Sequence, residues 1–381
     1  MQLTRRMSAT AIALGLITAG ASPCRADFLV GDSSVETMIR YFSDSDQVSV
    51  HSYTADCAIP FKSAATLSLH VNNEHVTIPA VSAPVGSAEA IDAITTASRP
   101  ISGNAYQDYL KVRNEVQGEL ARPGAAVSYY LSSESDYLAQ QIGGRIDRDL
   151  TRNQTNLSVG SSYSWDAIEP LADDDTNAAP DHKKTIHLNA VATQALSPAT
   201  LLRVGVEYNM VDGLQHNPYR NVYAGGTIVP EQHPTHRERR DAFVRLNQYL
   251  PNRSSVKMSY RLYNDSWGIL SHEIDTRLSQ YITHGASARY EYRYYTQNAA
   301  TFYRDDYTSV NGVNGYRTGD YRMADLSSHL FGISLNFDLD ALRVENAVMK
   351  RLGLWVNYER YFNSNNYSAN ILETGVDFRF D

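Results

Sequence analysis

Over long stretches of this chain every second residue is apolar. Between 286 and 294 the apolar or aromatic positions are Ala286, Ala288, Tyr290, Tyr292 and Tyr294, with Ser287, Arg289, Glu291 and Arg293 between them. A strand sends alternate side chains to opposite faces, so one face here is greasy and aromatic and the other charged. Val256, Met258, Tyr260 and Leu262 alternate in the same way with Lys257, Ser259, Arg261 and Tyr263. So do Leu202, Val204, Val206, Tyr208 and Met210 with Arg203, Gly205, Glu207 and Asn209, and Phe331, Ile333, Leu335 and Phe337 with Gly332, Ser334 and Asn336. A period of two predicts strands over 34–43, 47–58, 63–72, 108–121, 125–133, 137–151, 154–165 and 183–196. It predicts eight more over 200–212, 239–250, 254–265, 269–283, 285–297, 326–338, 351–362 and 369–380. Only 340–348 suggests a turn or two of helix.

The connections alternate as well. Short links fall at 59–62, 122–124, 152–153, 197–199, 251–253 and 284, and long ones at 73–107, 166–182, 213–238 and 298–325. With a periplasmic N-terminus every long loop lands on one side and these short turns on the other. Further short links at 44–46, 134–136, 266–268 and 363–368 fall on the long-loop side, and 339–350 is long for a turn. Membrane barrels have short periplasmic turns and long outer loops, an asymmetry a soluble sandwich has no reason to produce. The expected fold is all-β: a transmembrane antiparallel up-and-down β-barrel of about sixteen strands, with fourteen the nearest alternative. The last strand places Leu372, Thr374, Val376, Phe378 and Phe380 on one face, resembling the assembly signal of outer-membrane proteins, although Asp381 follows the final aromatic.

The first residues fit this destination. Arg5 and Arg6 precede a short apolar run over 9–21, and Cys24-Arg25-Ala26 forms a small-x-small site before Asp27. This reads as a secretory signal peptide over 1–26, leaving 27–381 as the barrel domain. Thr4-Arg5-Arg6 is only a faint twin-arginine pattern, and Ala21-Ser22-Pro23 is a poor lipobox before Cys24. After cleavage Cys57 stands alone, so no intramolecular disulfide can form, and it reads as a small packing residue. Beyond the leader no run of about 18 apolar residues offers a helical anchor.

Composition sharpens the picture in one respect. Tyr 26 outnumbers Phe 10 and Trp 3 together, and tyrosine's apolar ring and polar tip suit membrane–water interfaces and wet interiors. A net charge of -8 without any basic block excludes nucleic acid as a partner. The expected partners are outer-membrane lipid, lipopolysaccharide and the barrel assembly machinery.

The run 292–303, YRYYTQNAATFY, resembles the hallmark of an uncharacterised Gram-negative family, domain of unknown function 3570, whose members look like outer-membrane barrels. Other segments match in order: Ile91-Asp92-Ala93-Ile94-Thr95-Thr96-Ala97-Ser98, Ser133-Glu134-Ser135-Asp136-Tyr137, Asn217-Pro218-Tyr219-Arg220 and HPTHRERRDAF from His233. The resemblance spans nearly the whole mature chain and implies the fold and the cell outer membrane of a Gram-negative bacterium. It implies no activity, since the family has none established. The segment 92–98 also loosely resembles the DxxSGAT-type sequence that flavin transferases modify, and the family is found near such transferases. That would make Ser98 a flavin acceptor, but Thr96 replaces the central Gly, so the expectation is no cofactor.

Residues expected to line the lumen are Arg203, Arg245, Lys257, Arg261, Arg277, Arg289, Arg293 and Arg379 against Glu207, Glu273, Asp275, Glu291, Glu359, Glu373 and Asp377. Their near balance argues against strong ion selection. They read either as a network stiffening a wet interior or as a selectivity lining. His216, His233 and His236 in the 213–238 loop lack further ligands at metal spacing, and with Arg237, Arg239 and Arg240 suggest contact with lipopolysaccharide phosphates instead. Asp173-Asp174-Asp175 reads as a solvated turn rather than a Ca²⁺ site. Ser271, His272 and Glu273 fall on opposite faces without a nucleophile elbow, so no catalytic residue and no enzyme is expected. The expected function is a channel or transport component of unknown cargo, with 73–107 as constriction or plug. The alternatives are a non-conducting barrel acting as scaffold or envelope partner, including one linked to a redox (flavin) module, and a soluble exported β protein.

Overall fold

A computed structural model describes residues 33–78, 109–151, 154–170, 179–224, 227–307, 315–339 and 352–380. The expected signal peptide, the short helix at 340–348, Ser98 and Asp173-Asp174-Asp175 lie outside these residues. The strands are β1 Ser33–Asp44, β2 Ser49–Pro60, β3 Thr66–Ile78, β4 Tyr109–Arg122, β5 Ala125–Ser133, β6 Tyr137–Leu150, β7 Thr155–Ile168, β8 Asp181–Ser197 and β9 Thr200–Gly213. A small hairpin follows, β10 Asn221–Ala224 with β11 Thr227–Pro230. The rest are β12 His236–Leu250, β13 Ser254–Asp265, β14 Leu270–Thr283, β15 Ala286–Gln297, β16 Leu326–Asp338, β17 Leu352–Asn363 and β18 Ser368–Phe380.

Sixteen of these close into one antiparallel barrel, in which each strand pairs with its sequence neighbour and β12 with β9. Pairing of β1 with β18, from Ser33↔Phe380 to Asp44↔Ala369, seals the ring. Closure removes both sheet edges, so every ladder hydrogen bond finds a partner, as lipid requires. The fourteen-strand alternative is thereby excluded.

Polarity sorts as the alternation demands. Ile39, Tyr53, Val127, Ile142, Val206, Ile274 and Phe331 stand exposed on the outer face, which is the arrangement of a lipid-facing surface. On β15–β17 this face carries a belt of rings, with Tyr292 against Phe331 at 5.0 Å and His329 against Phe362 at 5.2 Å. Tyr rings and imidazoles of this kind suit the interfacial level of a bilayer. Ala288 lies on the outer face as expected but is only 3% exposed, because its short side chain sits between Gln280 and Leu335 on the neighbouring strands.

The connections 79–108, 169–180, 214–235 and 298–325 and the turns at 45–48, 134–136, 266–269 and 364–367 lie at one end, the loop end, while 339–351, the long exception expected from the sequence, falls at the other. Strands run further toward that end than the alternation suggested: β3 continues to Ile78, β7 to Ile168, and β12 begins at His236. The expected loops 73–107, 166–182 and 213–238 are therefore shorter than read. Beyond the bilayer both faces of a strand meet polar surroundings, so backbone pairing persists where the sequence loses its alternation, as in Asn72-Asn73-Glu74-His75. A folded barrel of this kind should migrate faster in SDS gels until boiled and should fractionate with outer membranes; a soluble periplasmic species would contradict it.

Candidate functional site

The interior divides into a charged shaft and a cap. In the shaft, register places each of the expected lining residues on the inward face, opposite the exposed apolar positions. They do not behave alike. Arg277 Nη2 and Arg293 Nη2 both donate to Glu291 Oε1, at 2.9 and 3.0 Å, and both guanidinium groups also meet Asp275 at 3.2 and 3.3 Å. Arg261 reaches Glu207 at 3.9 Å and Asp241 at 3.8 Å. Glu373 takes an ion pair from Arg40 at 3.4 Å, and Asn357 donates to Glu359 and Glu373, each at 3.1 Å. Among the described residues Arg203, Arg245, Lys257 and Arg289 have no carboxylate partner. Register sets Arg203 beside Arg245 and Lys257 beside Arg277, so unpaired bases form a stripe over β9, β12, β13 and β15.

Acidic residues that the sequence reading left out face them. Glu36, Asp56, Glu74, Glu115 and Glu119 point inward from β1–β4, with Glu373 and Asp377 beside them on β18. Both signs occur on both sides of the wall, with Arg40 and Arg113 among the acids of β1–β4 and Glu207, Asp275 and Glu291 among the bases; what sets the β9–β15 side apart is its four bases without a carboxylate partner. Glu74 fell in the expected loop 73–107, and Glu36, Asp56, Glu115 and Glu119 lie on strands for which the alternation gave a span but no assignment of faces. Part of the shaft forms a cavity of about 470 Å³ lined by Glu36, Arg277, Arg289, Glu291, Trp355 and Asp377, among others.

The cap is built by the two long connections 214–235 and 298–325. They join through a pair of backbone hydrogen bonds, Gln232 N to Arg317 O at 3.0 Å and Arg317 N to Gln232 O at 2.9 Å. Its centre is Glu231, whose side chain is fully buried. The carboxylate accepts from Asn217 N at 3.1 Å, Gly319 N at 3.1 Å and Thr318 Oγ1 at 2.5 Å, and meets Arg220 and His233 at 3.5 and 3.3 Å. Burial alone would push this carboxyl up, but the hydrogen bond from His233 and the charge of Arg220 prevail and hold it at about 2. Arg220 also meets Asp320 at 3.3 Å, which Arg322 holds from the other side at 2.7 Å.

A small apolar core stiffens the cap: Trp267, Ile269, Ala300 and Phe302 are buried together, with Tyr316 and Met323 against them. Gly268 in the β13–β14 turn takes a φ of +87, and a Cβ there would strike the Thr301 side chain. Arg237 lies over the Trp267 ring at 4.0 Å and pairs with Asp265. The cap is tied to the rim elsewhere too. Tyr219 Oη donates to Asp136 Oδ2 at 2.6 Å in the β5–β6 turn, and Tyr321 packs on Tyr367 in the β17–β18 turn at 5.6 Å. Lys111 holds Glu134 and Asp136 from below.

The arginines and histidines of the run 213–240 separate here. Arg237, Arg239 and Arg240 do not present one basic face to lipopolysaccharide, because strand alternation turns Arg237 and Arg239 inward and leaves only Arg240 outward, paired with Glu238. His216 and His233 meet within the cap, their rings 6.2 Å apart, while His236 faces out against Asp212 at 2.7 Å. Among the described residues no group of His, Cys, Asp or Glu is arranged to hold a metal. Of the expected plug, 73–107, residues 79–107 lie outside the described residues. Four of the five segments that carried the family resemblance, 133–137, 217–220, 233–243 and 292–303, meet here, and the fifth, 91–98, lies outside the described residues. Short motifs with no catalytic meaning were in fact the parts of one buried assembly.

A pattern for the family described as Protein of unknown function (DUF3570) matches residues 5–350. No curated protein matches the chain. Among solved structures, the outer-membrane protein OmpT of Vibrio cholerae aligns at 9% identity and a TM-score of 0.46, over 92% of this chain and 97% of that one. Its variant lacking loop L8 aligns at 9% identity and 0.45, over 92% and 98%. OpdK of Pseudomonas aeruginosa, solved with vanillate, aligns at 9% identity and 0.42, over 93% and 99%. At such identities the likeness extends to the barrel fold alone.

Proposed function

The chain belongs to the family described as Protein of unknown function (DUF3570), and from that premise we propose that it is an outer-membrane channel of a Gram-negative bacterium that passes small polar solutes. The observation that carries this reading is the shaft wall. Sixteen-stranded barrels are wide enough to hold water, and a dry interior could not keep Arg203, Arg245, Lys257 and Arg289 charged without carboxylates beside them. The unpaired bases on β9, β12, β13 and β15 give that side of the wall a positive bias that orients dipolar solutes. The unpaired stripe adds a mild preference for anions.

Planar-bilayer recording of the purified barrel tests the reading. Discrete conductance steps are expected, with a reversal potential in a KCl gradient leaning toward chloride. Lys257→Glu and Arg245→Glu together should move it toward potassium; an unmoved potential would remove the stripe from the conduction path.

Sidedness has its own test. In a Cys57→Ser background, Asn365→Cys in the β17–β18 turn should react with an impermeant reagent on intact cells. Asn252→Cys in the β12–β13 turn should react only once the outer membrane is breached, and the reverse pattern would invert the topology.

One observation favours a second reading. The cap stands at the loop end, tied to the turns at Asp136, Trp267 and Tyr367. A barrel sealed there serves as a scaffold for an envelope partner. Absence of conductance from a heat-modifiable barrel, unchanged when the cap is loosened, would select it.

A further inference from the structure

The cap encloses, against the barrel wall, a cavity of about 330 Å³. Its walls come from opposite sides of the barrel: Tyr137, Ile168, Lys183 and Val211 on β6–β9, and Asp320, Arg322 and Met323 from the connection between β15 and β16. Such a volume lies at the small end of the roughly 300–1,000 Å³ typical of small-molecule sites. Much of the wall is apolar, with Ile168, Val211, Leu214, Trp267 and Met323 contributing.

The charged groups on it are mostly spoken for. Lys183 pairs with Asp166 at 3.2 Å, Arg237 with Asp265, and Arg322 with Asp320. Arg220 shares Glu231 and Asp320. Burial and the neighbouring His233 pull the His216 imidazole below its ordinary value, so it adds little charge at neutral pH. Arg239 differs. It faces the cavity from β12, its Nε is buried, and among the described residues nothing accepts from it. A guanidinium always carries its charge, and leaving an N–H donor such as this Nε buried and unmet is costly. Asp265 stands opposite Arg239 across β12 and β13, but Arg237 already holds that carboxylate, and the charge of Arg237 itself repels.

We propose that this cavity is a binding site for a small carboxylate with an apolar body, the carboxylate on Arg239 and the body against Trp267 and Met323. One unmatched charge calls for a monoanion; a phosphate dianion would bring a second charge with no free partner on the wall. The planar guanidinium fork matches a carboxylate in two-point geometry. The inference goes beyond the channel reading, since the cap assembles the cavity whether or not solutes cross the shaft.

Calorimetry on the detergent-purified full-length protein at neutral pH provides the test, with benzoate as probe, benzamide as its neutral counterpart and inorganic phosphate as the competing class. Benzoate should bind one per barrel, at least about tenfold more tightly than benzamide or phosphate. Arg239→Gln should weaken benzoate at least about tenfold and leave benzamide unchanged. Met323→Trp, which fills the cavity without touching a charge, should remove benzoate binding. Heat-modifiability in SDS gels certifies that each variant is folded. The proposal is overturned if wild type binds benzoate no better than benzamide, if phosphate binds more tightly than benzoate, or if a folded Arg239→Gln binds benzoate as wild type does. The wild-type comparison decides by itself should Arg239→Gln fail to fold. Because the readout is binding, a silent bilayer recording leaves this result standing, and conductance without benzoate binding overturns the site alone.

Discussion

Glu231→Ala is expected to open the loop end of the barrel while leaving the barrel folded. The Glu231 carboxylate gathers Asn217 N, Gly319 N, Thr318 Oγ1, Arg220 and His233 from both long connections, and its side chain has no exposure to solvent. Removing one partner of a buried ion pair typically costs about 3–5 kcal/mol, since the groups left behind lose their acceptor inside the protein. Arg220 would keep Asp320 at 3.3 Å, which places the effect toward the lower end. None of these contacts belongs to the barrel ladder, so heat-modifiability should survive. Limited trypsin digestion should then cut at Arg220 or Arg317, and bilayer conductance should rise. Unchanged protease resistance together with unchanged conductance would show that Glu231 does not hold the cap.

The same group gives the cap a pH dependence. Its folded value of about 2 lies below its ordinary 4.5, so the unfolded loop takes up a proton first as the pH falls. The stabilisation is therefore complete above about pH 4.5 and is lost as the pH drops toward 2, with a full magnitude of about 3 kcal/mol. Trypsin cannot report in that range, but pepsin can, and cap cleavage should appear below pH 4 in wild type while Glu231→Ala is cut without a comparable threshold.

The second large effect concerns the two faces of the wall. Ile274→Arg should block assembly into lipid, because Ile274 is 48% exposed on the outer face between Tyr260 and Tyr294. An arginine at the bilayer midplane costs roughly 2–4 kcal/mol, a large part of the stability of most folds. Glu291→Gln, on the opposite face one strand away, should cost little. Arg277 and Arg293 would both keep Asp275 at 3.2 and 3.3 Å, and the wet shaft screens what remains. Refolding yield into vesicles measures both. If Glu291→Gln is the more damaging change, the faces are reversed or the shaft is dry.

Ala288 shows why the choice of position matters. Alternation alone marks it as lipid-facing, yet it is buried between larger neighbours, so Ala288→Arg would mix a packing clash with the lipid penalty. Ile274 separates them.

What the chain determined by itself is the wall. In a barrel each strand needs only its own two faces and its sequential neighbours, so β5, β13 and β16 begin and end where the alternation placed them. The inward position of Arg277, Glu291 and Glu373 follows from the same parity. The cap was not legible because its contacts are remote in sequence and lack any period. Tyr219 reaches Asp136, Thr318 reaches Glu231, and Trp267 meets Phe302, each pair joined by no local rule. The hairpin of β10 and β11 was missed for a related reason: four-residue strands are too short to display alternation. Nor could the chain announce the state of its charges. Arg237 and Arg239 look alike in the run HRERRDAF; register sets Asp265 opposite Arg239, yet only the fold shows that Arg237, held over the Trp267 ring, takes that carboxylate and Arg239 is left facing a cavity.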